Sequence, residues 1–272
     1  MVTSEEEHLI EVIGHRIDWY STALLRLRTD EQDPQDEYQI GSGTFVSVEG
    51  KCGILTAHHV AKELNGHCSL GLILKHDVHR YAINHDHFTI DHIAVPQEQS
   101  HEPDLAFIGL YPPDTGTIKA NKLFYEMSTM RKHVLNDMIS IERGTWFVWG
   151  VPGERTSSEP SEKGFENIVA LNSLCAATRA TGENQAGEHD YIDIEVEYGK
   201  SFDVPASFGG FSGGGVWQVF LQKSETGNIV PKEYILAGVA FYQTEIKNQI
   251  RYLHCHGRRS IYDYAYRKIT KR

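Results

Sequence analysis

The chain has 272 residues, 40% of them hydrophobic and 23% charged, enough apolar material for one large domain or two small ones around a real core. A formal net charge of -11 argues against a general nucleic-acid or anionic-membrane binder, because those partners select for an excess of Lys and Arg. The four cysteines, Cys52, Cys68, Cys175 and Cys255, show no C-x-x-C spacing, which argues against a disulfide scaffold and for free thiols in a reducing compartment.

The opening MVTSEEEHLIEV places acids where a secretory leader carries positive charge, and no apolar run reaches the length of a membrane span; the expectation is a soluble, cytoplasmic chain that meets neither membrane nor nucleic acid. Ser4 and Glu7 have capping-box spacing, and Leu9, Ile10, Val12, Ile13 and Ile17 supply an apolar face. A helix beginning near residue 5 is therefore predicted within a 1–20 extension that packs on the body. From Ser21 the pattern changes to short β-rich runs between turn residues. STALLRLR, GTFVSVE, GILTA, DLAFIGL, WFVWG, YIDIEVEY, GVWQVF and ILAGVAFY are the predicted strands. Loops are predicted at 29–37, 96–103, 111–117, 152–164 and 179–190, and Tyr111 to Lys132, with Pro112, Pro113 and Gly116 at its start, reads as the link between two halves. The boundaries drawn are 21–118, 119–256 and 257–272, with no internal repeat. The last unit, SIYDYAYRKITKR, puts Ile261, Tyr262, Ala265, Tyr266 and Ile269 on one helical face, so its basic residues read as the charged side of a packed helix.

Chemistry enters at GFSGGGVW, Gly210 to Trp217. A serine hydroxyl is a weak nucleophile unless a base takes its proton, and the oxyanion that forms needs fixed donors. In G-x-S-G-G the N–H groups of the first glycine and of the serine, here Gly210 and Ser212, suit that second task. A glycine-rich turn alone has the same appearance, so the motif needs company. GILTAHHV delivers His58 and His59 at the end of an apolar strand, and EPDLAFIGL begins another with Asp104.

With these residues in place the chain resembles the trypsin-like (chymotrypsin-fold) serine peptidases, the bacterial intracellular and HtrA-like branch above all. The likeness rests on GSGTFV at 41–46, LTAHHV at 55–60, PDLAFI at 103–108, VWGVPGE at 148–154 and GFSGGGVW at 210–217, in the chain order His, Asp, Ser. It implies an all-β fold of two six-stranded antiparallel β-barrels, with a short N-terminal helix and a C-terminal helix. It also implies the roles of general base for His59, orienting acid for Asp104 and nucleophile for Ser212, with Gly210 and Ser212 as the oxyanion hole. The family's Thr-Ala-small-His pattern puts His58 in the small-residue position; a register slipped by one makes His58 the base instead.

Three departures matter. Where zymogen-activated members carry an Asp before the nucleophile, this chain has Phe211, which cannot pair with a newly cleaved amine. The cysteine that often follows the catalytic histidine is Val60. The family's primary pocket falls on Ala206, Phe241, Tyr242 and Gln243, which implies a small or apolar side chain before the scissile bond, a preference that Asp203 on a loop of different length would reverse.

Nine of the fifteen histidines fall between His58 and His101, and His85 with His87 would share one face of a strand. A third and fourth ligand are lacking there, and also at His254 and His256 beside Cys255, so no metal and no cofactor is expected. The expected function is a serine endopeptidase cleaving protein or peptide substrates through an acyl-enzyme, with room for a regulatory protein partner. Two alternatives stand beside it: a protease-fold binding or regulatory module with a gated triad, and an esterase using the same residues.

Overall fold

The computed structural model describes residues 4–28, 38–66, 68–74, 80–97, 102–136, 139–160, 166–198 and 204–271. The expected loop 29–37, His101 and the pocket candidate Asp203 lie outside the described residues. Helix α1 (Ser4–Asp18) has three acids in its first turn and His15 and Arg16 in its last, charges that suit the helix dipole at both ends. Its buried side, Ile13 and Ile17, packs onto the body. Lys122 pins the far end, donating to the Asp18 carbonyl (2.8 Å) and carboxylate (3.1 Å).

The first sheet follows: β1 (Ser21–Arg28), β2 (Tyr38–Val48), β3 (Lys51–Thr56), the short helix α2 (His58–Lys62), β4 (Cys68–Ile73), β5 (Arg80–Ile83), β6 (Phe88–Ala94) and β7 (Leu105–Leu110). Helix α3 (Pro112–Lys119), strand β8 (Tyr125–Glu126) and helix α4 (Met127–Asn136) lead to the second half. There β9 (Thr145–Gly150), β10 (Thr156–Pro160), β11 (Glu166–Leu171), β12 (Leu174–Ala186), β13 (His189–Glu197), β14 (Gly215–Lys223), β15 (Ile229–Gln243) and β16 (Ile250–His256) are found. A π-helical turn, Ser260–Ala265, runs into α5 (Tyr266–Thr270) and closes the chain.

Both expected β units are present, with different closure. The second is a closed ring, β12-β13-β16-β15-β14-β9, of the six strands expected. The first is a curled sheet of eight strands, in the order β5-β4-β1-β2-β3-β7-β6 with β8 lying parallel on β2, and among the described residues its hydrogen bonding does not close. β10 and β11 form a separate two-stranded ribbon.

Alternation along the strands builds three apolar layers. Ile54 and Ile108 face the interior of the first sheet, with Leu24, Phe45 and Leu70. Val148 and Val216 face the interior of the ring, with Ile192, Ile194 and Ala237. Their chain neighbours Leu55, Phe107, Phe147 and Trp217 point the opposite way and fuse the two units, joined there by Ile13, Tyr125 and Tyr262. The C-terminal segment thus belongs to the core, and one of its basic residues, Arg258, is buried with its guanidinium donating to the Ile139 carbonyl and the Gln218 amide oxygen.

Several local expectations are corrected. Residues 111–117, expected as a loop, are largely helix α3, because Pro112 and Pro113 sit at its first positions, where their missing N–H groups cost nothing. The expected loop 179–190 is the β12–β13 hairpin, whose polar residues face solvent. His85 and His87 lie in an exposed 3-10 turn rather than on a strand, and His87 Nδ1 is 3.4 Å from Asp114. Among the described residues no helix is long and apolar enough to cross a membrane.

Candidate active site

Strands β3 and β7 are antiparallel neighbours, with Thr56 opposite Ala106. Asp104 immediately precedes β7 and His59 lies three residues beyond Thr56, so this register sets the two side by side. Asp104 is 4% exposed. One of its carboxylate oxygens is 2.5 Å from His59 Nδ1, and the other accepts the His59 backbone N–H at 2.9 Å. A carboxylate held this way fixes both the ring orientation and the tautomer with Nδ1 protonated, which leaves Nε2 as the free base. His58 points elsewhere. Its ring lies 4.6 Å from that of His92 and its Nδ1 is buried without a partner; burial, then His92, pushes its pKa down.

Behind Asp104 stands a residue from the other unit. The Asp104 N–H donates to His256 Nε2 at 2.9 Å, across from β16 of the ring. His256 is buried among Tyr191, Phe241 and His189, and burial pushes its pKa down to about 3. The imidazole is therefore neutral at physiological pH, as an acceptor at Nε2 requires.

The serine is delivered by the segment from Phe208 to Gly215. Gly213 N–H donates to the Ala240 carbonyl (2.7 Å) and Ala240 N–H to the Gly214 carbonyl (2.9 Å), which ties the turn to β15. Ser42 N–H donates to the Ser212 carbonyl at 2.8 Å, and Thr56 Oγ1 donates to the Ser42 carbonyl at 2.8 Å, which ties it to the middle of β2 and the end of β3. Glycine at 213 is compulsory: φ is +87°, and a Cβ there would lie 2.0 Å from Thr56 Oγ1 and 2.1 Å from the Ser42 carbonyl oxygen. Ser212 thus rests against the strand end that presents His59. Among the described residues no hydrogen bond joins the Ser212 hydroxyl to His59; such contacts are often open in an unliganded site and tighten with substrate.

Backbone donors from Gly209 to Gly213 alternate between used and free. Gly209 N–H donates to Ser207 Oγ, Phe211 N–H to the Phe208 carbonyl, and Gly213 and Gly214 N–H to the Ala240 and Phe211 carbonyls. Among the described residues the N–H groups of Gly210 and Ser212 donate to nothing. Their directions are fixed, since N–H and C=O of a trans peptide point opposite ways. The Gly209 carbonyl accepts from Gly153 N–H (2.7 Å) and the Phe211 carbonyl from Gly214 N–H (2.7 Å), so both partner N–H groups are aimed away from those bonds. The intervening Gly210 carbonyl accepts from Ser42 Oγ at 2.7 Å, and the same hydroxyl receives Val151 N–H at 3.1 Å. Phe211 is buried, its ring 4.8 Å from that of Phe208, and supplies apolar anchorage where an ion pair would otherwise stand.

Of the pocket residues, Ala206 and Gln243 come together and Phe241 does not. Phe241 sits where the pairing of β15 with β16 shifts register, and its side chain is 4% exposed, packed on Tyr191 and His256. It lines the core under Asp104 because the strand pleat sends residues 241 and 242 to opposite faces. Tyr242 is 38% exposed and stacks on His254 at 5.7 Å. Gln243 Oε1 accepts Phe208 N–H (2.9 Å), and its amide nitrogen donates to Ser207 Oγ (3.3 Å). Arg251, which the sequence did not single out, donates from Nη1 to the Ala206 carbonyl (2.8 Å) and to Gln243 Oε1 (2.9 Å). Ser42 and Arg251 carry no sequence signal for these contacts, and His256 only that of a candidate metal ligand, because each acts on backbone groups distant along the chain.

No family model and no curated protein matches this sequence. Among solved structures, a chain reported under "Aromatic interactions drive the coupled folding and binding of the intrinsically disordered Sesbania mosaic virus VPg protein" aligns over 89% of both chains, with a TM-score of 0.43 and 13% identity. A likeness that faint says nothing about activity.

Proposed function

We propose that this chain is a serine peptidase of the trypsin-like kind. Ser212 Oγ attacks the scissile carbonyl while His59 Nε2 takes its proton; Asp104 holds the ring and stabilises the imidazolium. The oxyanion is received by the N–H groups of Gly210 and Ser212. Protonated His59 then gives its proton to the leaving amine, which departs and leaves an ester on Ser212. Water, deprotonated by the same imidazole, hydrolyses that ester and restores the serine.

The observation that carries this reading is the pair of N–H groups on Gly210 and Ser212 that have no partner among the described residues, each held by a bonded carbonyl in its own peptide. Fixed, unused donors beside a nucleophile are what an anion-stabilising site requires. Phe211, buried and unable to form an ion pair, supports a hole that exists without N-terminal cleavage. The open contact between Ser212 and His59 is the one observation favouring the alternative, a gated binding module.

Labelling with a fluorophosphonate probe separates the two. The peptidase reading expects wild-type protein to label, with the signal abolished by Ser212→Ala and by His59→Ala in folded variants. A wild-type chain that stays unlabelled, alone and with peptide present, would favour the module.

A further inference from the structure

We propose that Arg251 makes this site select an acidic side chain, glutamate or aspartate, immediately before the scissile bond. The proposal rests on the peptidase reading above. A substrate whose carbonyl oxygen meets the Gly210 and Ser212 N–H groups must run its preceding side chain beside the residues flanking Ser212. Those are the 206–209 segment and the end of β15, which Gln243 bridges and where Arg251 sits, bonded to both.

A guanidinium has five N–H donors in a rigid fork. The two on Nη1 are spent on the Ala206 carbonyl and Gln243 Oε1. Among the described residues the Nε of the other edge is buried without a hydrogen-bond partner, and the guanidinium has one further side-chain partner, the Tyr198 hydroxyl. That edge matches the two oxygens of a carboxylate. No carboxylate among the described residues lies within ion-pair distance of Arg251. The ring of Tyr198 lies 5.8 Å from its Cζ, and the Tyr198 hydroxyl is donated to the Pro205 carbonyl.

Glu154 is the nearby acid that could have answered this charge, and the backbone separates them. Its carboxylate accepts Ser207 N–H at 3.2 Å, while Arg251 bonds the Ala206 carbonyl at 2.8 Å. Those two groups belong to one trans peptide and point in opposite directions, so Glu154 and Arg251 occupy opposite sides of it. A second bond, from Ala206 N–H at 3.0 Å, holds Glu154 there. Net attraction on the Arg251 side is therefore for an anion, which replaces the small or apolar preference implied by the resemblance.

The test is a peptide library varied only at the residue before the scissile bond, with fluorophosphonate labelling run in parallel. Wild-type protein is expected to cleave after Glu or Asp with a kcat/KM at least tenfold above that after Ala, Leu or Lys. In Arg251→Gln the ratio of Glu to Ala cleavage should fall by on the order of 10². Arg251→Glu should carry the preference over to Lys and Arg. A labelled wild type that favours basic or apolar residues overturns the proposal and leaves the peptidase standing. So does a folded Arg251→Gln that loses all substrates in equal proportion, since that is a packing role. Absent labelling overturns both.

Discussion

The two units contribute to one candidate site by different means. The curled sheet offers side chains: His59 is held by a carboxylate through one 2.5 Å contact and one bond to its own N–H. The closed ring offers backbone: Gly210 and Ser212 present N–H groups whose directions follow from peptides bonded to Gly153 and Gly214. A side-chain site fails when chemistry is removed, and a backbone site fails when bulk is added. Substitutions that subtract and substitutions that add therefore probe different halves.

The largest effect expected beyond loss of the nucleophile is on the subtracting side. Asp104→Asn keeps the shape but can place an amide N–H against His59 Nδ1, which forces the tautomer with Nε2 protonated and leaves no base for Ser212. A fall in kcat on the order of 10⁴ is expected at neutral pH, with little change in KM and the thermal midpoint held within a few degrees. A loss below tenfold would show that Asp104 does not set the ring, and the contrast between the two units would dissolve.

On the adding side, Gly213→Ala places a methyl into Thr56 Oγ1 and the Ser42 carbonyl at a φ of +87°. The turn must move, and the free N–H groups move with it. The expected cost is on the order of 10²–10³ in kcat, the scale of one lost oxyanion donor, together with a lowered melting temperature. Gly116→Ala is the control. That glycine lies in α3 with nothing within 4 Å of a new Cβ, so alanine should stabilise by about 1 kcal/mol and leave kcat alone. Equal behaviour of the two variants would remove the claim that the glycines are there to position donors.

This division also explains what the sequence could disclose. Strands β1, β2, β3, β7, β9, β13, β14 and β15 were legible because apolar and β-branched runs end in turn residues. The pairing of His59 with Asp104 was legible because both stand at ends of apolar strands. Local pattern alone does not choose His59 over His58; the Thr-Ala-small-His resemblance does, and in the structure the choice follows from α2 beginning right after Ala57. β12 and β16 escape because polar residues such as Arg179, Glu183 and Arg251, exposed or half-buried, break the apolar pattern. By sequence His256 reads only as half of a metal pair around Cys255. Its task is to accept a backbone N–H from 152 residues away, and no local spacing encodes such a partner.

Among the residues of the site His256 gives the smallest expected effect and the one that tests how the units are joined, because it is the ring's hold on the acid of the curled sheet. Its pKa is pushed down from 6.5 to about 3 by burial, so below pH 6.5 the unfolded chain binds a proton that the folded chain refuses. The sign follows: this stability is complete above pH 6.5 and drains away as pH falls toward 3. At pH 5 the loss is ~2 kcal/mol, from 1.36 kcal/mol per pH unit below 6.5. His58 and His189, also pushed down mainly by burial, add in the same direction, as does acid titration of carboxylates, so the wild-type curve alone does not isolate the residue. His256→Gln does, since an amide oxygen can still accept the Asp104 N–H and cannot be protonated in this range. Urea unfolding of both proteins at pH 7.5 and pH 5 should show the wild type losing about 2 kcal/mol more than the variant. If the two lose the same amount, His256 is not a buried neutral clasp, and Asp104 is held by the curled sheet alone.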